Sequence, residues 1–141
     1  MKKSILLLAL ACISIVLLSA QTNSNSAKQQ YLIVFRFKSN FLPPSQDVLQ
    51  VNIKHWQEYM GSLAKAGNLV SGFRPVNEGK TITGSGKTIK EGSYIANNEL
   101  ISSVIIINAS SIEEATEIAN KCPIFEFGGS AEVRQLIGTA N

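Results

Sequence analysis

The sequence predicts an α+β domain in which two helices cover one face of an antiparallel β-sheet. Two runs rich in β-branched and aromatic residues, at positions 31–37 and 100–108, have the composition of strands in a buried sheet. Each run is followed by a stretch whose apolar residues recur at helical spacing. Segments with Gly and Pro separate these stretches, so strands and helices alternate along the chain.

The first helix is predicted to begin after Ser45 and to end before Gly67. Ser45 is a good N-cap residue, and Asp47 places a negative charge near the positive end of the helix. Gly67 suits the left-handed backbone position that follows many helices. Apolar side chains at intervals of four and three residues predict the face that packs on the sheet: Leu49, Ile53, Trp56, Met60 and Leu63.

The middle of the chain predicts a short strand and then a β-hairpin. Residues 69–76 begin as a strand, and Pro75 indicates that this strand ends there or lies at a sheet edge. Residues 80–90 repeat Lys-Thr-Ile on both sides of Gly84-Ser-Gly86, which is typical of a hairpin around a glycine turn. These glycines do not form a phosphate-binding loop, because Thr81 stands where that motif needs glycine and no helix follows.

The run at 100–108 is the strongest strand signal, and we expect this strand at the centre of the sheet. A capping box, formed by Ser110 with Glu113 or by Ser111 with Glu114, is predicted to open the second helix. The inner face of that helix is predicted to carry Ile112, Ala115, Ala119 and Cys122.

Pro123 is predicted to end the second helix, and residues 130–137 to form the last strand. The order is therefore β–α–β–hairpin–β–α–β, which gives a ferredoxin-like sandwich with an extra β-hairpin. The two long strands carry apolar side chains on both faces, so the face without helices would remain apolar. We therefore expect a homodimer whose sheets pack face to face.

Residues 1–20 have the features of a secretory signal peptide. Lys2 and Lys3 precede an apolar run from Ile5 to Leu18, and small residues follow up to Ala20. We therefore expect export to the periplasm or the medium. The alternatives are an uncleaved anchor, for which the run is shorter than the roughly 20 residues that a span needs, and a lipoprotein modified at Cys12.

After the signal peptide, residues 21–30 are polar and are predicted to form a flexible leader. Residues 31–138 are predicted to form the single folded domain, with no membrane span after processing.

Charge and cysteine content exclude several classes of function. Loss of residues 1–20 would leave 11 basic and 10 acidic side chains, a net charge of +1, and no basic patch favours nucleic-acid binding. Cys122 would be the one cysteine left, which excludes an intramolecular disulfide and favours a buried structural thiol. Since His55 is the only histidine and lies far from Cys122 in the sequence, we expect no metal site. We also expect no cofactor.

Several segments resemble, in the same order, those of the YCII-related (DGPF-type) domain family. The most typical is residues 122–134, where a Cys-Pro stop, an apolar loop and Gly-Gly precede a Glu-Val-Arg strand. The resemblance implies a ferredoxin-like fold and dimers that form an α/β barrel, and it implies no settled reaction. The other similar segments are Tyr31–Phe35, Trp56–Leu69, Val70–Pro75 and Ser111–Pro123.

The signature loop of this family and its helix histidine both differ in this chain. Glu91-Gly92-Ser93-Tyr94 stands where many members carry Asp-Gly-Pro-Phe. Some members with suspected enzyme activity pair a helix histidine with an aspartate. Counted back from Gly67, that position falls at Trp56, next to His55, and neighbouring residues on a helix point about 100° apart.

His55 and Glu91 are the candidate catalytic residues. His55 flanks the apolar stripe of the first helix and can serve as a general base near neutral pH; the alternative is a partly exposed boundary residue. Glu91 can present a carboxylate to a cleft and pair with His55; the alternative is a simple turn residue.

Four residues are candidates for ligand binding: Arg36, Arg74, Tyr94 and Arg134. Arg36 interrupts an apolar strand and needs a partner there. Arg134 shares a strand face with Glu132 and can bind an anion, or it can form an ion pair between strands or subunits. Arg74 has the same two interpretations. Tyr94 can line the pocket or cover the hairpin.

These residues predict a protein that binds a small anionic molecule in a cleft between the sheet and the helices. One alternative is a metal-independent lyase, isomerase or peroxidase-like enzyme that uses His55 or Glu91 as a base. Another is a structural or accessory dimer of the cell envelope.

Overall fold

The computed structural model describes residues 27–138 of the chain, so the predicted signal peptide (residues 1–20) lies outside the described residues. Within that range no helix is both long enough and apolar enough to cross a membrane. The elements follow one another as β1 (Gln29–Lys38), α1 (Gln46–Lys65), β2 (Leu69–Phe73), β3 (Lys80–Thr83), β4 (Thr88–Glu91), β5 (Glu99–Ala109), α2 (Ile112–Ala119), a 3₁₀ helix (Pro123–Phe127) and β6 (Ser130–Gln135).

Four strands form one antiparallel sheet in the order β2-β5-β1-β6. β5 takes an inner position, as predicted, and β2 and β6 are the edges. β3 and β4 form a separate hairpin in which Lys80 pairs with Glu91 and Ile82 with Ile89. The two helices and the antiparallel sheet confirm the α+β, ferredoxin-like fold with an extra hairpin.

The core lies between the helices and one face of the sheet, which we call the inner face. Tyr31, Ile33 and Phe35 alternate along β1 and point into this core, where each is at most 2% exposed. Ile105 and Ile107 of β5 pack beside them. The intervening residues point to the opposite face, which we call the outer face; they include Leu32, Val34, Arg36, Val104 and Ile106.

Helix α1 begins at the predicted cap, where the Ser45 hydroxyl accepts a hydrogen bond from the Val48 amide at 3.3 Å. Trp56, Met60 and Leu63 pack on the core as predicted. The prediction was wrong for Ile53, which is 38% exposed. Compared with the prediction, the buried face of the helix is shifted so that it includes Asn52 and Tyr59. The Tyr59 hydroxyl donates a hydrogen bond to the Ile118 carbonyl oxygen at 3.1 Å.

Helix α2 uses the second of the two predicted caps. The Ser111 hydroxyl accepts from the Glu114 amide at 3.2 Å, and the Glu114 carboxylate accepts from the Ser110 amide at 2.7 Å. Hydrogen bonds from Ser110 hold the pKa of Glu114 below its usual range. Ile112 was predicted on the inner face but is 40% exposed, because it is the first residue of the helix and lies at its open end.

Candidate functional site

A cleft of about 1090 Å³ opens on the outer face of the sheet. Its floor is formed by side chains of β1, β2, β5 and β6, and its walls by residues 74–82 and 92–97 around the base of the β3–β4 hairpin. The cleft predicted from the sequence lay between the sheet and the helices. In the structure the helices fill the inner face with core side chains, and this cleft lies on the opposite side.

Three of the four predicted ligand-binding residues line this cleft together: Arg36, Arg74 and Tyr94. Arg36 comes from the middle of the sheet, and the other two come from opposite ends of the hairpin segment. The predicted Arg134 does not line the cleft; its side chain is 71% exposed at the sheet edge.

A chain of ion pairs runs from the floor of the cleft to the sheet edge. Arg36 Nη2 lies 2.7 Å from Glu132 Oε2, and the other carboxylate oxygen of Glu132 lies 3.3 Å from Arg134 Nε. The strand register explains this geometry. Glu132 on β6 pairs with Val34 on β1, and Arg36 follows Val34 by two residues on the same face of β1, so Glu132 and Arg36 are diagonal neighbours. Glu132 thus supplies the partner that an arginine within an apolar strand requires.

A second carboxylate of the cleft, Glu99, is engaged at the rim. Its side chain accepts a hydrogen bond from Lys38 Nζ at 2.9 Å, and Ser130 Oγ lies 3.5 Å away. The Lys38 hydrogen bond holds the pKa of Glu99 below its usual range. The charge of Glu99 is therefore balanced by Lys38. On the cleft wall, the Lys80 ammonium is likewise paired with the Glu91 carboxylate.

Arg74 differs from these charged groups. Among residues 27–138 its guanidinium has no hydrogen-bond, ion-pair or ring partner, and the same holds for the Tyr94 hydroxyl. Phe73, Ile101 and Val104 supply an apolar surface in the same cleft, and the Phe73 side chain is 65% exposed. The cleft therefore combines an available cation with an aromatic and aliphatic surface.

The predicted catalytic residue His55 lies away from this cleft, on α1. Its Nδ1 atom is 2.7 Å from Glu126 Oε1, and its side chain is 43% exposed. Glu126 belongs to the 3₁₀ helix, and its second oxygen accepts a hydrogen bond from Asn52 Nδ2 at 2.8 Å. Asn52 also donates to the Pro123 carbonyl oxygen at 3.1 Å.

The second predicted catalytic residue, Glu91, ends β4 with a side chain that is 78% exposed and paired with Lys80. The structure does not bring His55 and Glu91 together, since each has its own partner on a different part of the fold. Arg134 meets neither of them.

Sequence reasoning did not single out Asn52 or Glu126. A signal for Asn52 was present, because residues 52, 56, 59 and 63 recur at helical spacing and all four pack inward. A polar residue such as Asn52 does not add to an apolar pattern, so hydropathy alone does not mark it. Glu126 had no local signal, since it meets His55 only through the tertiary fold.

Among residues 27–138, neither the Cys122 thiol nor a group of metal-ligating side chains forms a second candidate site. Cys122 is buried in the core, and burial raises the pKa of its thiol to about 11. This agrees with the predicted structural role. Over residues 27–138, no three His, Cys, Asp or Glu side chains are grouped so that they could hold a metal ion.

The fold defines a small α+β domain of ferredoxin-like architecture whose hairpin insertion borders an arginine-containing cleft. The chain belongs to the YCII-related domain family, whose pattern it matches over residues 29–137. No curated protein gave a significant match.

Proposed function

We propose that this protein binds a small anionic molecule in the outer-face cleft. The observation that carries the proposal is Arg74, a guanidinium without a partner among the described residues, in a cleft that also contains Arg36 and Tyr94. A guanidinium presents several donors in one plane and matches a carboxylate or phosphate. A bound anion would give Arg74 the counter-ion that the described chain does not supply.

Glu78 is the acidic counterpart of Arg74 on the same loop. It also lines the cleft without a partner among residues 27–138, and no ion pair joins it to Arg74. The Arg74 guanidinium is therefore not neutralised by this neighbour. A ligand that carries a hydrogen-bond donor besides its anionic group would engage both residues.

We further propose that the protein acts as a homodimer whose outer sheet faces meet. The outer face carries Phe73, 65% exposed, and Ile101, 43% exposed, beside Leu32 and Val104. Packing of a second copy of the chain against this apolar sheet face would remove it from water and stabilise the dimer. Because Phe73, Ile101 and Val104 also line the cleft, such an arrangement would enclose both clefts within the dimer interface.

We also propose that the protein is exported, to the periplasm or the medium. The charged start, the apolar run and the small residues before Gln21 support this destination.

Replacement of Arg74 by alanine tests the binding proposal. We expect wild-type protein to bind benzoate, which combines a carboxylate with a flat apolar body, and Arg74→Ala to bind it roughly five- to tenfold more weakly. Isothermal titration calorimetry measures both affinities, with inorganic phosphate as a second probe. Lys121→Ala removes an exposed cation at the end of α2 and should bind as the wild type does. Equal affinities of wild type and Arg74→Ala, or binding of neither probe by the wild type, would contradict the proposal.

A second candidate function is metal-independent catalysis with His55 as the base, and the observation that favours it is the contact with Glu126. A carboxylate on Nδ1 fixes the imidazole and leaves Nε2 without a partner among the described residues. Glu91 is the other candidate base of this class, and a purely accessory dimer is the third interpretation. The test compares the rate of substrate turnover, and its pH dependence, in the wild type and in Glu126→Gln. A rate and a pH dependence that are unchanged in Glu126→Gln would argue against His55 as the base.

A further inference from the structure

We propose that Glu132 is an internal counter-ion that occupies the place of the ligand on Arg36 and is displaced when a carboxylate binds. This inference rests on the proposed function, because it concerns the same cleft. Glu132 Oε2 lies 2.7 Å from Arg36 Nη2, and both residues line the cleft floor. The side chain of Arg36 is only 26% exposed, so an anion beside it stabilises its charge.

Glu132 can leave Arg36 without becoming unpaired. Its Oε1 atom lies 3.3 Å from Arg134 Nε, and Arg134 stands outside the cleft at the exposed sheet edge. Binding would therefore exchange one carboxylate for another on Arg36, while Glu132 remains paired with Arg134. Neither step leaves a partly buried charge without a partner.

The exchange also narrows the class of ligand. The group that now contacts Arg36 is a carboxylate, so the site accepts a planar anion of the same size. Arg74 supplies a second guanidinium, and Phe73, Ile101 and Val104 supply an apolar surface for the remainder of the molecule. The ligand class is therefore a small carboxylic acid with an apolar or aromatic body.

Three variants test the exchange, with benzoate as the probe and benzamide as its neutral counterpart. Glu132→Gln removes the competing charge and should bind benzoate roughly two- to fivefold more tightly than the wild type. Arg134→Ala removes the alternative partner of Glu132 and should bind benzoate more weakly by a similar factor. Glu58→Gln makes the same charge change on α1 and should leave the affinity unchanged.

A double variant separates the exchange from a general loss of positive charge. If Arg134 acts through Glu132, then Arg134→Ala should have no further effect in a Glu132→Gln background. If Arg134 only attracts anions, its effect should persist there, and the proposal would be wrong. Benzamide affinity should not change in any variant.

The outcomes also distinguish this inference from the proposed function. Benzoate binding that depends on Arg74 but is equal or weaker in both Glu132→Gln and Glu132→Ala would overturn the exchange and leave the binding site in place. The alanine variant is included because the glutamine side chain can still hold Arg36 through its amide oxygen. Absence of benzoate binding in every variant, with folding verified by thermal unfolding, would overturn both.

Discussion

Replacing Gly129 by alanine is expected to destabilise the protein by about 2–3 kcal/mol. A Cβ atom at this position would lie 2.6 Å from Ile124 Cγ1 and 2.7 Å from the Arg36 carbonyl oxygen. The oxygen belongs to an inner strand of the sheet, and Ile124 is fully buried, so neither can move freely. Urea denaturation of the two proteins measures the difference in the free energy of unfolding.

Gly61→Ala is the matched control for this prediction. Gly61 lies within α1 with nothing within 4 Å of an added Cβ atom. Alanine is favoured over glycine inside a helix, so this variant should be more stable by about 0.5–1 kcal/mol. Equal unfolding midpoints for Gly129→Ala and wild type would contradict the close approach of the loop to β1.

Replacing Asn52 by aspartate is expected to destabilise the protein by about 3 kcal/mol or more. The Asn52 side chain is 4% exposed, and its amide donates to both the Pro123 carbonyl oxygen and the Glu126 carboxylate. Aspartate has the same shape but offers only acceptors, so both bonds are lost and a second carboxylate faces Glu126.

Gln57→Glu makes the same amide-to-acid change at an exposed position of α1 and should alter stability by less than about 0.5 kcal/mol. Thermal and urea unfolding at neutral pH compare the three proteins. An Asn52→Asp variant as stable as Gln57→Glu would show that the contact between α1 and the 3₁₀ helix does not stabilise the fold.

The fold could be predicted because its signals are local. The β-branched runs, the Ser45 and Ser111 caps and the repeated Lys-Thr-Ile around a glycine turn each define one element, and their order defines the sheet. The inner face of α1 was predicted less well. Hydropathy favoured Ile53 over Asn52, whereas in the structure Ile53 is exposed and Asn52 is buried with hydrogen bonds to the 3₁₀ helix.

The candidate site was predictable only in part. Arg36 stood out because an arginine within an apolar strand needs a partner, and the register of β1 and β6 brings Glu132 to it. The position of the cleft did not follow from the sequence, because it depends on where residues 74–82 and 92–97 lie over the sheet. The contact of His55 with Glu126 was equally inaccessible to sequence reasoning, because it joins residues that lie far apart in the chain.

The most direct test of the outer-face cleft is to locate the binding site by amide chemical-shift changes while ¹⁵N-labelled protein is titrated with benzoate. The proposal predicts the largest changes at Phe73, Arg74 and Tyr94, with further changes on the floor at Arg36 and Val104. Changes confined to α1 around His55, or no saturable change anywhere, would contradict it.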